Sequence, residues 1–110
     1  MSDTTAARSL LESLVGQAIS TVTGRPNTVL RVECDNVVVA TSRSPTGQLV
    51  PIERVQSGLE QLLEMGEIEV SVPSLGHHSS FVGAVLLTLP DAVLIRTASP
   101  RIRLNRPPTT

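Results

Sequence analysis

The stretch QLLEMGEIEVSVPSLGHHSSFVGAVLLTLP, from Gln61 to Pro90, decides the fold. It opens on the end of an amphipathic helix whose stripe, Ile52, Val55, Leu59, Leu62 and Leu63, recurs near the helical period. Pro51 is placed for the first turn and Gly66 for the cap. Glu53, Glu60 and Glu64 fall outside that stripe, as on a solvated face. Beyond Gly66, Ile68, Val70 and Val72 alternate with Glu67, Glu69 and Ser71 as in a strand, while one short helical turn ending near Pro73 suits the position equally. Ser79 or Ser80 then caps a helix ended by Pro90. Its residues Phe81, Val82, Ala84, Val85, Leu86, Leu87 and Leu89 cover nearly the whole circumference. A helix apolar all round has to be covered on more than one side, either at the centre of the domain or at a contact between copies.

On the amino-terminal side, Ala7, Leu10, Leu11, Leu14 and Val15 recur at helical spacing, and Gly16 stands where the helix should end. Ala18 to Thr23 is short and rich in β-branched residues, and the turn formers from Thr23 to Asn27 follow it. Leu30, Val32 and Cys34 are expected on one face of a strand, with Arg31 and Glu33 on the other. Asp35-Asn36, residues that tolerate the left-handed backbone of tight turns, joins this strand to Val37–Thr41. Residues 42–47 read as a loop and 48–50 as a short edge strand. On the carboxyl side, Val93 to Ile95 returns as a strand, and residues 97–110 read as an extended arm or linker. The expectation is an α+β fold with one domain over residues 7–96, about three helices and a small antiparallel sheet that includes a hairpin near residues 29–41. Residues 1–6 are expected to be a flexible terminus, and 97–110 a basic, proline-containing tail.

A chain of 110 residues is long enough to bury one core and short for two. Phe81 is the only aromatic residue, so the core has to be aliphatic, and recognition by aromatic stacking of single-stranded bases is disfavoured. A single cysteine, Cys34, excludes an internal disulfide and multi-cysteine metal sites. No apolar run approaches the length that spans a bilayer, so no membrane contact is expected and a cytoplasmic location is the default.

Catalytic patterns are sparse. His77 and His78 are adjacent and point apart on either a helix or a strand, with no third ligand at a metal-binding spacing. Cys34, placed by alternation on an apolar strand face, reads as a small inert hydrophobe rather than a nucleophile. Glu60 and Glu64 share a helical face, as solvated acids do. No glycine-rich phosphate loop and no Gly-x-Ser-x-Gly elbow occurs. Neither an enzyme, a metal nor a cofactor is expected.

Charge is unevenly distributed. Residues 51–70 hold five glutamates against Arg54 alone, whereas residues 92–110 hold Arg96, Arg101, Arg103 and Arg106 with no acid. Every basic side chain is arginine, a type suited to bidentate contact with phosphate or carboxylate.

Gln61 to Pro90 thus has the rhythm of a winged helix-turn-helix: a glycine-ended helix, a short element, a turn at Gly76 and a serine-capped helix. Together with the run from Val15 to Val70, it resembles the small winged-helix-like modules that accompany restriction-type nucleases in bacteria, over roughly residues 14–93. The resemblance implies a DNA-associated accessory or targeting domain, and no nuclease motif is present. One departure is chemical: from Ser79 to Leu89 the would-be reading helix offers no Arg, Lys, Asn or Gln to base edges. Contacts with double-stranded DNA are therefore expected from its amino end, His77, His78, Ser79 and Ser80, and from Arg25, Arg31 and Arg43, with Arg96, Arg101 and Arg103 adding charge. The alternative is a protein-interaction or homodimerisation domain using the apolar helix 80–89 through Phe81, Val82, Val85 and Leu86.

Overall fold

In the computed structural model, which describes residues 3–71, 78–96 and 99–105, these described residues form three helices and two antiparallel sheets. Helix α1 spans Thr5–Leu14, followed by strands β1 (Ala18–Ser20), β2 (Pro26–Val32), β3 (Asn36–Ala40) and β4 (Gln48–Pro51), which pair in that order as a meander. Helix α2 (Ile52–Met65), strand β5 (Glu67–Glu69), helix α3 (Ser79–Leu87) and strands β6 (Ala92–Ile95) and β7 (Arg101–Leu104) follow. The second sheet has the order β5-β7-β6. The mixed α+β class and the three helices match expectation.

Helix α2 begins one residue after Pro51 and ends at Gly66, whose φ of 78° and N–H bond to the Leu62 carbonyl make a left-handed cap that a side chain would strain. Glu67–Glu69 resolves as a strand, because it pairs with β7, with Ile68 opposite Ile102. The rest of the ambiguous segment, 72–77, lies outside the described residues. Helix α1 is fixed by polar contacts as well as by Ala7, Leu11 and Leu14. The buried Gln56 of α2 accepts the Ala7 N–H at 2.9 Å, and the Arg8 guanidinium donates to the carbonyls of Glu33 and Cys34.

Three expectations are corrected. The hairpin between β2 and β3 forms, but its turn is not left-handed, since no described residue other than glycine has positive φ. Within that hairpin the register slips between Val29 and Arg31, so Leu30 is an extra residue and the inward series runs Asn27, Val29, Val32. The extra residue leaves Leu30 exposed while Val32 keeps the buried side, and Cys34, in the turn beyond the end of β2, is exposed as well. Finally, residues 101–104 are no arm. Ile102 and Leu104 alternate with Arg101 and Arg103, and this segment is the central strand of the second sheet, with Ile102 fully buried.

Helix α3 takes the central position of the two left open. Its residues 81–86 are all buried within one chain, and it packs on α2, on β1 of the first sheet and on β6 and β7 of the second. Phe81, Val82, Val85 and Leu86, expected as an interface, are therefore core and leave no apolar helix face for a second copy. At about 1.5–3 kcal/mol for each large apolar side chain buried, this helix is a main source of stability. Close packing depends on Gly83: a Cβ there would lie 2.9 Å from Val70 Cγ1.

Gly83→Ala is expected to lower stability by about 1–3 kcal/mol despite the better helix propensity of alanine. Combined with Val70→Ala, which removes the obstructing methyls, the loss should be smaller than the sum of the single effects, as read by chemical denaturation. Additive losses would show that the two positions do not touch.

Candidate anion-binding cleft

One end of the first sheet carries a concavity lined largely by polar side chains. Along the inward phase of its strands the central positions are apolar: Ile19 on β1, Val29 on β2, Val37 and Val39 on β3, Val50 on β4. Towards one end the same phase turns polar, with Thr21 after Ile19, Asn27 before Val29, Thr41 after Val39 and Gln48 before Val50. The register aligns these ends, because Asn27 faces Ile19, Thr28 faces Ala40 next to Thr41, and Gln48 faces Val39. Together they line a cleft of about 390 Å³, closed on its far side by His78, Ser80 and Phe81 at the start of α3.

Two arginines stand at its rim on separate turns, Arg25 between β1 and β2 and Arg43 between β3 and β4. A threonine braces each turn. Thr21 Oγ1 accepts the Arg25 N–H at 3.1 Å and lies 3.0 Å from Thr23 Oγ1, while Thr41 Oγ1 accepts the Ser44 N–H at 3.0 Å. No carboxylate lines the cleft, and neither guanidinium has an acidic partner among the described residues. The first turn of α3 has no side-chain cap; its first backbone bond runs from the Val82 N–H to the His78 carbonyl at 3.0 Å. Two cationic forks, several hydroxyls and an uncapped helix start make a site for an anion.

Of the expected contact residues, Arg25, Arg43, His78 and Ser80 are thus brought to one place. Ser79, half-buried, begins α3 beside them without lining the cleft, and His77 lies outside the described residues. The remaining arginines are elsewhere. Arg31 lies beside α1 in a shallow concavity with Arg8 and Glu12 and pairs with Glu33 at 3.0 Å. Arg96 is exposed just after β6. Arg101 and Arg103 close on Glu67 at 2.7 and 3.1 Å, so their charge is spent within the second sheet. Thr21, Thr23, Asn27, Thr41, Ser42 and Gln48 were not expected here. Their signal was a polar residue ending an inward apolar series, which becomes a site only once the register is known.

Among the described residues no group of three or more His, Cys, Asp or Glu is arranged to hold a metal ion, and no helix is long and apolar enough to cross a membrane. Cys34 does not line the cleft that contains His78. Comparison with family models, with curated proteins and with solved structures returns no match for the chain.

Hydrogen bonds from Arg101 first, and then from Arg103, hold the Glu67 carboxyl below the ordinary glutamate range. A group whose folded pKa is depressed stabilises the fold fully above its unfolded pKa, about 4.3, and loses that contribution as pH falls through the folded value. Glu67→Gln is accordingly expected to be less stable than the parent at pH 7. The gap should close as pH drops below about 4, measured by denaturation midpoints across pH. A pH-independent gap would deny the ion pairs this role.

Proposed function

We propose that the protein is a non-catalytic, DNA-associated accessory module that grips phosphate through the cleft between the first sheet and α3. The observation that carries this reading is the convergence of Arg25 and Arg43, both without acidic partners, on the amino end of α3. Phosphate oxygens suit paired guanidinium forks and a helix start together. The order α2-β5-α3-β6-β7, with the second sheet paired β5-β7-β6, supports regarding this half as a winged-helix-like unit. Such a unit works here with its usual reading helix buried: residues 81–86 cannot enter a major groove while they fill the core. Contact is left to the helix start and the two arginine turns, so binding is to the backbone and only weakly to sequence.

Affinity for a duplex should fall steeply with salt, with a slope of about −0.9 in log–log form for each phosphate neutralised. Arg25→Ala and Arg43→Ala are each expected to reduce that slope by about 1 and to weaken all sequences alike. Arg101→Ala should leave the slope unchanged. Fluorescence anisotropy with labelled duplexes checks this, and absence of binding at low salt would overturn the reading.

A further inference from the structure

Asn27 is the least exposed of the polar residues that line the cleft. It occupies an inward position of β2, directly opposite Ile19 and two residues from Val29, where a β-branched apolar side chain would pack best. It is 6% exposed, yet its side-chain amide makes no hydrogen bond among the described residues. Its amide is nevertheless not sealed from solvent, since among the described residues the buried side-chain polar atom left without a partner is Ser71 Oγ. Its one open side is the cleft, which it lines together with Gln48, the amide that faces Val39 from β4.

Phosphate binding leaves this arrangement unexplained. A phosphate at neutral pH takes donors, and the cleft already has guanidinium groups, hydroxyls and the start of α3. An amide presents a donor and an acceptor side by side, the pairing that asparagine and glutamine offer to the edge of a nucleobase. A duplex cannot enter a cleft of about 390 Å³. A ligand of single-nucleotide size can, since small-molecule pockets run from about 300 to 1,000 Å³.

We propose that the cleft recognises one nucleotide unit, with Asn27, seconded by Gln48, hydrogen-bonding its base edge while Arg25 and Arg43 hold its phosphate. This rests on the phosphate-binding reading above and adds a base-reading group to it. The unit is either a free nucleotide or one extruded from a duplex, and the chemistry of recognition is the same. Asn27 also explains how a protein with no surface aromatic platform reads a base: it uses a fixed amide on a strand rather than a stacking ring.

The test titrates the full chain with inorganic phosphate and with the four deoxynucleoside monophosphates, followed by calorimetry or amide chemical shifts. In parallel it titrates a fully paired duplex and the same duplex with one unpaired nucleotide. At least one mononucleotide is expected to bind tenfold or more better than phosphate, the discrimination one bidentate pair supplies. Asn27→Val, which fills the same inward position with an apolar residue, should erase that preference while leaving phosphate and paired-duplex affinity unchanged. Gln48→Ala, on the edge strand and only half-buried, should reduce it and serves as the reporter if Asn27→Val fails to fold. Tighter binding of the unpaired-nucleotide duplex assigns the source to an extruded base; equal duplex affinities beside a mononucleotide preference assign it to free nucleotide. The inference falls if the wild type binds mononucleotides no better than phosphate, or if the preference survives Asn27→Val, or survives Gln48→Ala where that variant is the reporter. Should paired-duplex binding persist in that event, only the base-reading step is lost; should phosphate and duplex binding both be missing, the broader reading fails with it.

Discussion

The structure depends on the burial of α3. A nine-residue helix without a charged side chain cannot be left against water on any flank, and no single sheet of four or three short strands can cover it. The chain meets this constraint by placing one sheet on either side and α2 along a third. Two sheets that share no strand thereby share a core, in which Val82, Val85 and Leu86 are fully enclosed. The absence of a side chain at Gly83, which lets Val70 approach, follows from the same crowding. So does the position of the helix start. With its body fixed from all sides, α3 brings His78 and Ser80 to the open end of the first sheet. A helix that reads a groove needs an exposed polar face; the body of α3 is buried, and its polar side chains stand at its start.

The helices were legible because their information is local. The stripe Ile52, Val55, Leu59 and Leu62 between Pro51 and Gly66, and that of Ala7, Leu11 and Leu14, each settle a helix and its buried face within a dozen or so residues, although Leu63 and Val15, read into the same stripes, are exposed. Strand information was partly local and failed where it was not. The slip at Leu30 puts that residue outside while Val32 stays on the inward side, and nothing in the alternation of Leu30, Val32 and Cys34 announces it. Residues 101–104 looked like a charged tail because their partners are distant in sequence: Glu67 faces Arg103 and Ala92 faces Leu104. In the cleft, arginines and helix-start residues were visible by type. Asn27, Thr41 and Gln48 were not, since a polar residue at a strand end resembles any loop residue until the register places it beside its neighbours.

The same long-range pairing changes what the charge distribution means. An acidic segment at 51–70 and a basic one at 92–110 suggest two complementary surfaces awaiting partners. In the fold they meet each other, because β5 lies against β7 and Glu67 takes both Arg101 and Arg103. Glu33 similarly engages Arg31. Among the described residues Arg31, Arg101 and Arg103 are thus held in ion pairs, and of the arginines outside them Arg25 and Arg43 share a cleft without acids. For a protein of net charge −1, any attraction of an anion comes from local arrangement rather than from overall charge.

Stability and cleft chemistry pull in opposite directions at one place. Elsewhere on the inward face of the first sheet each strand position agrees with the fold: Ile19, Val29, Val37, Val39 and Val50 are apolar, β-branched and buried. At the cleft end the pattern is broken at Asn27 within β2 and Gln48 within β4, and by Thr21 and Thr41 just beyond β1 and β3. The disagreement sits on rigid elements, with Asn27 within β2, Gln48 at the start of β4 and Ser80 in the first turn of α3, so its polar groups are held at fixed separations before any ligand arrives. Groups held in that way lose little entropy when they take up a partner, so rigid strands and a buried helix suit the proposed role of the cleft.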